Sequence, residues 1–187
     1  MKIGIYGGSF NPVHNGHLKV AEWILDRVKL DKIIWVPLYK PYHKEISDLE
    51  DSEHRYNMLK LALGNKKKYE ISRVEIDAKI ISYTLDTLLA LKKQYPGNEF
   101  YEIIGGDSAE TFHTWKDYKE ILENAKVLVY SRRGHKVKIT ENMELIEAPY
   151  LDISSTLIRE KVENNESIFG LVPKAVEEYI YNNKLYR

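Results

Sequence analysis

Residues 1 to 29 limit the fold of this chain more than any other stretch. An apolar run, Lys2 to Tyr6, enters the loop Gly7-Gly8-Ser9-Phe10-Asn11-Pro12-Val13-His14-Asn15-Gly16-His17, and an amphipathic stretch from about His17 to Lys29 leaves it. Leu18, Ala21, Ile24, Leu25 and Val28 of that stretch recur at helical spacing. Strand, glycine turn and helix therefore read as one β–loop–α unit. Glycines at a strand end let backbone N–H groups come close to an anion. A helix start adds unpaired N–H groups and the positive end of its dipole. His14 and His17 sit at that mouth, so the loop reads as a phosphate site with side-chain donors and no covalent nucleophile.

The same alternation continues along the chain. Lys32 to Val36 reads as a second strand closed by Pro37, apolar enough to be covered on both faces. Asp51 or Ser52 is expected to cap a helix to about Leu63, ended by Gly64 and Asn65. Tyr69 to Asp77 alternates roughly and reads as a third strand. Ser82 or Thr84 is expected to cap a helix that stops before Pro96-Gly97. Glu99 to Ile104 reads as a fourth strand, ending in Gly105-Gly106-Asp107. A helical stretch from about Ser108 to Asn124, broken near Thr114, precedes strands at Val127 to Tyr130 and Met143 to Ile146. Helices at about Ser155 to Glu163 and Pro173 to Asn182 finish the pattern. This spacing predicts an α/β fold: a Rossmann-like doubly wound parallel sheet with helices on both faces. A small C-terminal helical portion, about residues 155–187, packs on a single domain spanning 1–187. In such sheets ligands bind beyond the carboxyl ends of the strands, where the strand order reverses. The first loop, Pro37 to Lys44 and Gly105 to Asp107 all fall at strand carboxyl ends.

Composition narrows the chemistry. Lys+Arg and Asp+Glu number 28 each, so no global charge points to nucleic acid or membrane, and Lys66-Lys67-Lys68 reads as a solvated turn. The absence of cysteine removes disulfides, thiolate nucleophiles and Cys-based metal sites. No apolar run approaches the ~20 residues that span a bilayer. The N-terminal residues read as a strand entering a glycine turn, not as a secretory segment, so a cytoplasmic protein is expected.

Three readings compete for His14 and His17. Metal ligation is weak, because no Glu follows His14 as in His-Glu-x-x-His. A pair of surface or capping histidines is the plain alternative, but it leaves the register of strand, glycines and helix start unexplained. A nucleotide site, with both imidazoles turned toward phosphates, accounts for all of it. The Gly-x-x-x-x-Gly-Lys-[Ser/Thr] loop is absent, and so is Gly-x-Gly-x-x-Gly after the first strand. A second constellation is Ile153-Ser154-Ser155-Thr156-Leu157-Ile158-Arg159. Alone, its hydroxyls read as an N-cap. Arg159, four residues after Ser155, is expected to project where the free N–H groups and hydroxyls invite an anion.

Gly8 to His17 resembles the His-x-Gly-His loop of the nucleotidyltransferase superfamily, and Ile153 to Arg159 resembles its C-terminal signature. More narrowly, the chain resembles the bacterial nicotinate-nucleotide adenylyltransferase family. Pro41-Tyr42-His43-Lys44 is similar to that family's Pro-Pro-His-Lys loop, and Glu53-His54-Arg55-Tyr56-Asn57-Met58-Leu59 to its Arg-x-x-Met-Leu helix. Ser82-Tyr83-Thr84-Leu85-Asp86-Thr87-Leu88, Gly105-Gly106-Asp107-Ser108 with Phe112 and Trp115, and the tail from Leu171 also resemble family blocks. Tyr42 stands where a second proline is usual, Ile80-Ile81 where glycine is common, and Gly106 where alanine is more usual.

The resemblance implies adenylyl transfer from ATP to nicotinate mononucleotide, with His14, His17 and Arg159 catalytic. It implies ATP binding by Gly7, Gly8, Ser9, Phe10, His14, His17, Gly105, Asp107, Ile153, Ser154, Ser155, Thr156 and Arg159. It implies acceptor binding by Lys44, Tyr83, Thr84, Trp115 and Arg133. Mg²⁺ would come bound to the ATP phosphates rather than to a protein cage. Plainer readings stand beside these: a helix cap for Asp107, a solvated loop lysine for Lys44, a core residue for Trp115. Nicotinamide mononucleotide or pantetheine phosphate as acceptor is an alternative, as is a non-catalytic nucleotide-binding regulator. Intact His14, His17 and Arg159 weigh against the regulator. Neither nucleic acid nor membrane is an expected partner, and a homodimer stays open. The sequence does not say whether the two imidazoles are neutral or cationic.

Overall fold

The computed structural model describes residues 1–40, 49–79, 83–132, 137, 139–140, 142–149 and 151–187. Its strands are β1 (Lys2–Gly8), β2 (Lys32–Pro37), β3 (Tyr69–Ile71), β4 (Glu99–Gly105), β5 (Lys126–Arg132) and β6 (Met143–Ala148). They form one sheet in the order β3-β2-β1-β4-β5-β6, every neighbouring pair parallel. The helices are α1 (Asn15–Arg27), α2 (Ser52–Leu63), α3 (Val74–Ala78), α4 (Thr84–Gln94), α5 (Gly106–Thr111), α6 (Tyr118–Asn124), α7 (Ser155–Glu163) and α8 (Lys174–Asn182).

Successive strand residues point to opposite faces, so a sheet covered on both sides needs apolar residues at consecutive positions. Tyr6, Ile33, Trp35, Ile103 and Leu128 face one core, with Ala21 and Ile24 of α1, Met58 and Leu59 of α2, Ile158 of α7 and Val176 of α8. Ile3, Ile5, Ile34, Phe100 and Val127 face the other, with Leu85, Leu88 and Leu91 of α4, Ala109 of α5 and Ile121 of α6. The C-terminal helices thus belong to the same apolar cluster as α1 and α2. Strand order reverses between β1 and β4, and the loops leaving those strands open a crevice at their carboxyl ends. No helix among the described residues is long and apolar enough to cross a membrane.

Three expected elements differ. The third strand stops at Ile71 instead of running to Asp77, and Val74–Ala78 turn into α3. Ser72 Oγ accepts from the Val74 N–H at 3.3 Å, and Arg73 Nε donates to Asp77 at 3.0 Å, one helical turn on. At a sheet edge with one neighbour, these local bonds satisfy the chain better than further pairing. The N-cap of α4 is Tyr83, without a side-chain cap; Thr84 is already helical, and Ser82 lies outside the described residues. Finally, α5 starts at Gly106 with Gly105 as its N-cap, so Asp107 lies inside the first turn and does not cap it. The break near Thr114 is a 3₁₀ turn, Phe112–Thr114, ahead of α6. Gly106 itself is where β5 and the segment after it come close: a Cβ there would lie 3.0 Å from Val137 Cγ2.

Candidate active site

His14 is the N-cap of α1, in extended conformation. Its Nδ1 accepts from the His17 N–H at 3.4 Å, and His17 Nδ1 accepts from the His14 N–H at 3.2 Å. This is a reciprocal capping box made from two imidazoles, their rings stacked with centroids 3.7 Å apart. An accepting nitrogen carries no proton, so each neutral ring is protonated at Nε2 and keeps that N–H for a ligand. The rings are neutral because burial lowers His14 to about 4. Burial, and then the neighbouring His14, lower His17 well below the ordinary histidine value. Capping and ligand binding are therefore not alternatives here, since they use different nitrogens of the same rings.

Gly16 lies between the two, and a Cβ at that position would stand 2.9 Å from Cε1 and Nδ1 of His14. Any side chain there would push the ring out of the cap. Phe10 supports His17 from the core side, with ring centroids 5.2 Å apart, and holds a left-handed φ of 46° under that packing. The start of α1 offers less open backbone than expected. Its Asn15 N–H donates to Leu171 O at 2.9 Å, and the His17 N–H is taken by His14. The imidazoles carry the donor role instead.

The second motif meets the first across the sheet top. Ser154 caps α7, its Oγ accepting from the Leu157 N–H at 3.1 Å. Ser155 Oγ donates to Pro12 O at 2.9 Å, and Arg159 Nη1 donates to Asn11 O at 2.9 Å. Arg159 does reach the hydroxyls of that helix start, its Nη2 donating to Thr156 Oγ1 at 3.5 Å. Its guanidinium braces the first loop from behind and lines a separate 390 Å³ cavity with Glu50 and Tyr186.

Two cavities open at the switch point. The larger, about 630 Å³, is bounded by His14, Gly16 and His17, by Gly105 and Asp107, and by Ile153, Ser154 and Ser155. The smaller, about 250 Å³, takes Gly7, Gly8, Thr84 and Trp115. Tyr6, Gly105 and Tyr130 line both, and the two phenol oxygens are 3.3 Å apart. Burial raises both phenols above their ordinary value, so they are neutral donors. Ser9, Phe10, Thr156 and Arg159 line neither cavity. Tyr83 also stays off the lining, its ring 4.3 Å from the Lys116 ammonium. Lys44 and Arg133 lie outside the described residues.

Other residues carry the site without having been assigned a role in it from sequence. Buried Arg55 donates to three carbonyls, Ser9 O at 2.8 Å, Glu50 O at 2.9 Å and Tyr39 O at 3.0 Å. It ties the first loop to the segments on either side of residues 41–48. Asn11 Oδ1 accepts from the Glu50 N–H and the Tyr186 hydroxyl. Glu75 and Glu102 line the smaller cavity. Glu102 could have been flagged in advance, as the one acid inside the apolar run Phe100-Tyr101-Glu102-Ile103-Ile104. Among the described residues no cluster of three or more His, Asp or Glu could hold a metal ion.

A doubly wound parallel sheet carrying a His-x-Gly-His loop and a serine-rich helix start on one cavity defines a nucleotidyltransferase. Residues 5–161 match the cytidylyltransferase-like family, to which the chain belongs. Within it the chain groups with the nicotinate-nucleotide adenylyltransferases. It is 46% identical to the Fusobacterium nucleatum protein described as a probable nicotinate-nucleotide adenylyltransferase, over 96% of this chain and 97% of the other. It is 37% identical to the nicotinate-nucleotide adenylyltransferase of Bacillus subtilis, over 99% of this chain and 98% of that one. The fold matches the Plasmodium falciparum nicotinic acid mononucleotide adenylyltransferase complexed with APC, with a TM-score of 0.79 at 23% identity, covering 99% of this chain and 96% of the other.

Proposed function

We infer that the chain transfers the adenylyl group of ATP to nicotinate mononucleotide, giving nicotinate adenine dinucleotide and pyrophosphate in NAD biosynthesis. One domain, residues 1–187, would carry the reaction in the cytoplasm. The observation that carries this reading is the wall shared by the two cavities. A triphosphate in the larger and a phosphorylated acceptor in the smaller meet at Tyr6, Gly105 and Tyr130, beside the imidazole pair.

An acceptor phosphate oxygen attacks the α-phosphorus of ATP. A new O–P bond forms, the bond to the α–β bridging oxygen breaks, and pyrophosphate leaves with that electron pair. The attacking oxygen is already anionic at neutral pH, so no general base is needed. Catalysis reduces to positioning and to stabilising the transferring charge. His14 and His17 supply Nε2–H donors to the phosphate oxygens, and as neutral rings they do so without giving up a proton. Ser154 and Ser155, on the larger cavity at the positive end of α7, receive the leaving phosphates, with Thr156 proposed to support them from the same turn. Arg159 acts from behind, holding the loop through Asn11. Gly7, Gly8, Ser9 and Phe10 shape that loop, while Gly105, Asp107 and Ile153 frame the nucleoside, with Asp107 available to ribose hydroxyls.

On the acceptor side, the start of α4 at Tyr83-Thr84 suits the nicotinate carboxylate, and the Trp115 indole suits the pyridinium ring. Lys44 and Arg133 are proposed as further acceptor ligands. Among the described residues, Asp107 and Glu110 are the acids on the larger cavity. That sparse donor set fits Mg²⁺ carried by phosphate oxygens and waters. When bound there, it neutralises phosphate charge.

Purified protein, ATP, Mg²⁺ and either nicotinate or nicotinamide mononucleotide, with pyrophosphate release measured, tests this. Faster release with nicotinate is expected. Faster release with the amide would reverse the acceptor assignment, and none with either would overturn the reading.

A further inference from the structure

Beneath the acceptor cavity the strand face is apolar except at one point. Glu102 stands mid-strand in β4, between Ile5 of β1 and Val127 of β5 in register. It is 5% exposed, and its Oε2 has no hydrogen-bond partner among the described residues. It lines the smaller cavity together with Glu75 of α3. Glu75 is already engaged, accepting from Thr87 Oγ1 of α4 at 2.7 Å. A carboxyl group placed in such a layer with an oxygen left unpaired carries a desolvation cost that a structural role does not explain. The same cavity holds the Trp115 indole. An aromatic face together with an unpaired acid is a combination that favours a flat cation.

We propose that Glu102 determines specificity for the ring of the acceptor: its carboxylate is the counter-charge for a pyridinium stacked on Trp115. The proposal rests on the reading of the smaller cavity as the mononucleotide site and names which feature of that substrate the cavity selects. It predicts preference for a cationic heteroaromatic ring over an uncharged ring of the same shape.

The surrounding groups give this selection a proton cost. Glu75 faces Glu102 from α3, Lys40 lies on the same cavity after β2, and Tyr6 on β1 and Tyr130 on β5 close the wall. Lys40 is exposed, with its ammonium 5.5 Å from the Tyr39 ring centroid. Tyr6 and Tyr130 are neutral. Burial, and then the charge of Glu75, raise Glu102 to about 8. The carboxyl is therefore largely protonated at neutral pH, and an arriving cation favours its ionised form. Binding of the cationic ring releases a proton to solvent, and acceptor affinity rises with pH through that range.

The experiment uses the whole chain at pH 8, with pyrophosphate release as the assay. Nicotinate mononucleotide is the substrate, and its uncharged 1,4-dihydropyridine form is the competitive inhibitor. For Glu102→Gln, KM for the cationic ring rises about tenfold while kcat changes far less and inhibition by the uncharged ring stays constant. Wild-type KM falls as pH rises from 7 to 9, and the variant loses that dependence. Calorimetry on the wild type, in two buffers of different ionisation enthalpy, reads the released proton without any variant. On the order of half a proton per acceptor is expected at pH 8, where the acceptor phosphate no longer titrates. No turnover by the wild type would overturn the site reading and the proposal with it. Turnover with no proton released, or equal losses for charged and uncharged rings in Glu102→Gln, would overturn the proposal alone.

Discussion

The imidazole pair at the start of α1 and the carboxyl pair beneath the acceptor cavity both have their charged forms disfavoured, and burial is the main cause in each. Their consequences run in opposite directions. His14, lowered to about 4, binds fewer protons in the folded than in the unfolded chain below the ordinary value of 6.5. Its stability contribution is therefore lost as pH falls from about 6.5 toward 4. Glu75 and Glu102, raised to about 7 and about 8 from 4.5, bind more protons when folded. The stability tied to them is lost as pH rises from about 4.5 toward 8. The two regions also differ in how they meet their burial. Each imidazole gives one nitrogen to a backbone N–H and keeps the other as a donor outside the cap, whereas Glu102 leaves an oxygen with nothing to bond among the described residues. On the proposed reading, the donor pair is built before substrate arrives, while the acid is completed by substrate.

The largest expected effect breaks the first half of that comparison. His17→Ala removes a donor aimed at developing charge and also opens the capping box. Turnover should fall by two to three orders of magnitude, about 3–4 kcal/mol. A near-normal kcat in a stopped pyrophosphate assay would take His17 out of the mechanism. The second half is tested by stability. Between pH 6.5 and pH 8, urea unfolding of the wild type should show a decline of which Glu102→Gln removes the larger part, on the order of 1–2 kcal/mol, leaving the share of Glu75 and the acid-side loss from His14 intact. A variant curve parallel to the wild type across that range would show that Glu102 is not held protonated. The smallest effect sharpens the geometry. Gly16→Ala inserts a methyl at 2.9 Å from the His14 ring, so turnover should drop roughly tenfold with about 1–2 kcal/mol of stability. Unchanged kinetics with an unchanged melt would mean that the ring can move aside at no cost to catalysis.

Local signals located most of this molecule. The bounds of α7, Ser155–Glu163, and the Asp51 cap of α2 follow from residues that bond within their own turn. Alternation at Tyr69 to Asp77 misled, because a period of two carries no information on whether a neighbouring strand is long enough to pair with. The site divides the same way. His14, His17, Ser154 and Ser155 were legible as two anion-seeking helix starts and do share one cavity. Arg159 was legible as a cation near the second start, but side-chain direction depends on what stands opposite, and Asn11 O stands there. Asn11 and Arg55 stand in motifs that the family resemblance marks, but what they hold depends on Ser9, Tyr39, Glu50 and Tyr186, as Tyr130 depends on Tyr6, and no spacing rule points to those pairings.

Contacts within a few residues set the strand–helix units and the capped starts of α1 and α7, and the motifs carried there mark the family. The protonation of the imidazoles, the wall shared by the two cavities and the burial of Glu102 came from packing. Those depend on desolvation by elements from other parts of the chain: α7 against the first loop, and α3 and α4 over the middle of β4. Charge state at a buried site is set by everything that excludes water from it, and that is a property of the packed molecule rather than of any stretch within it.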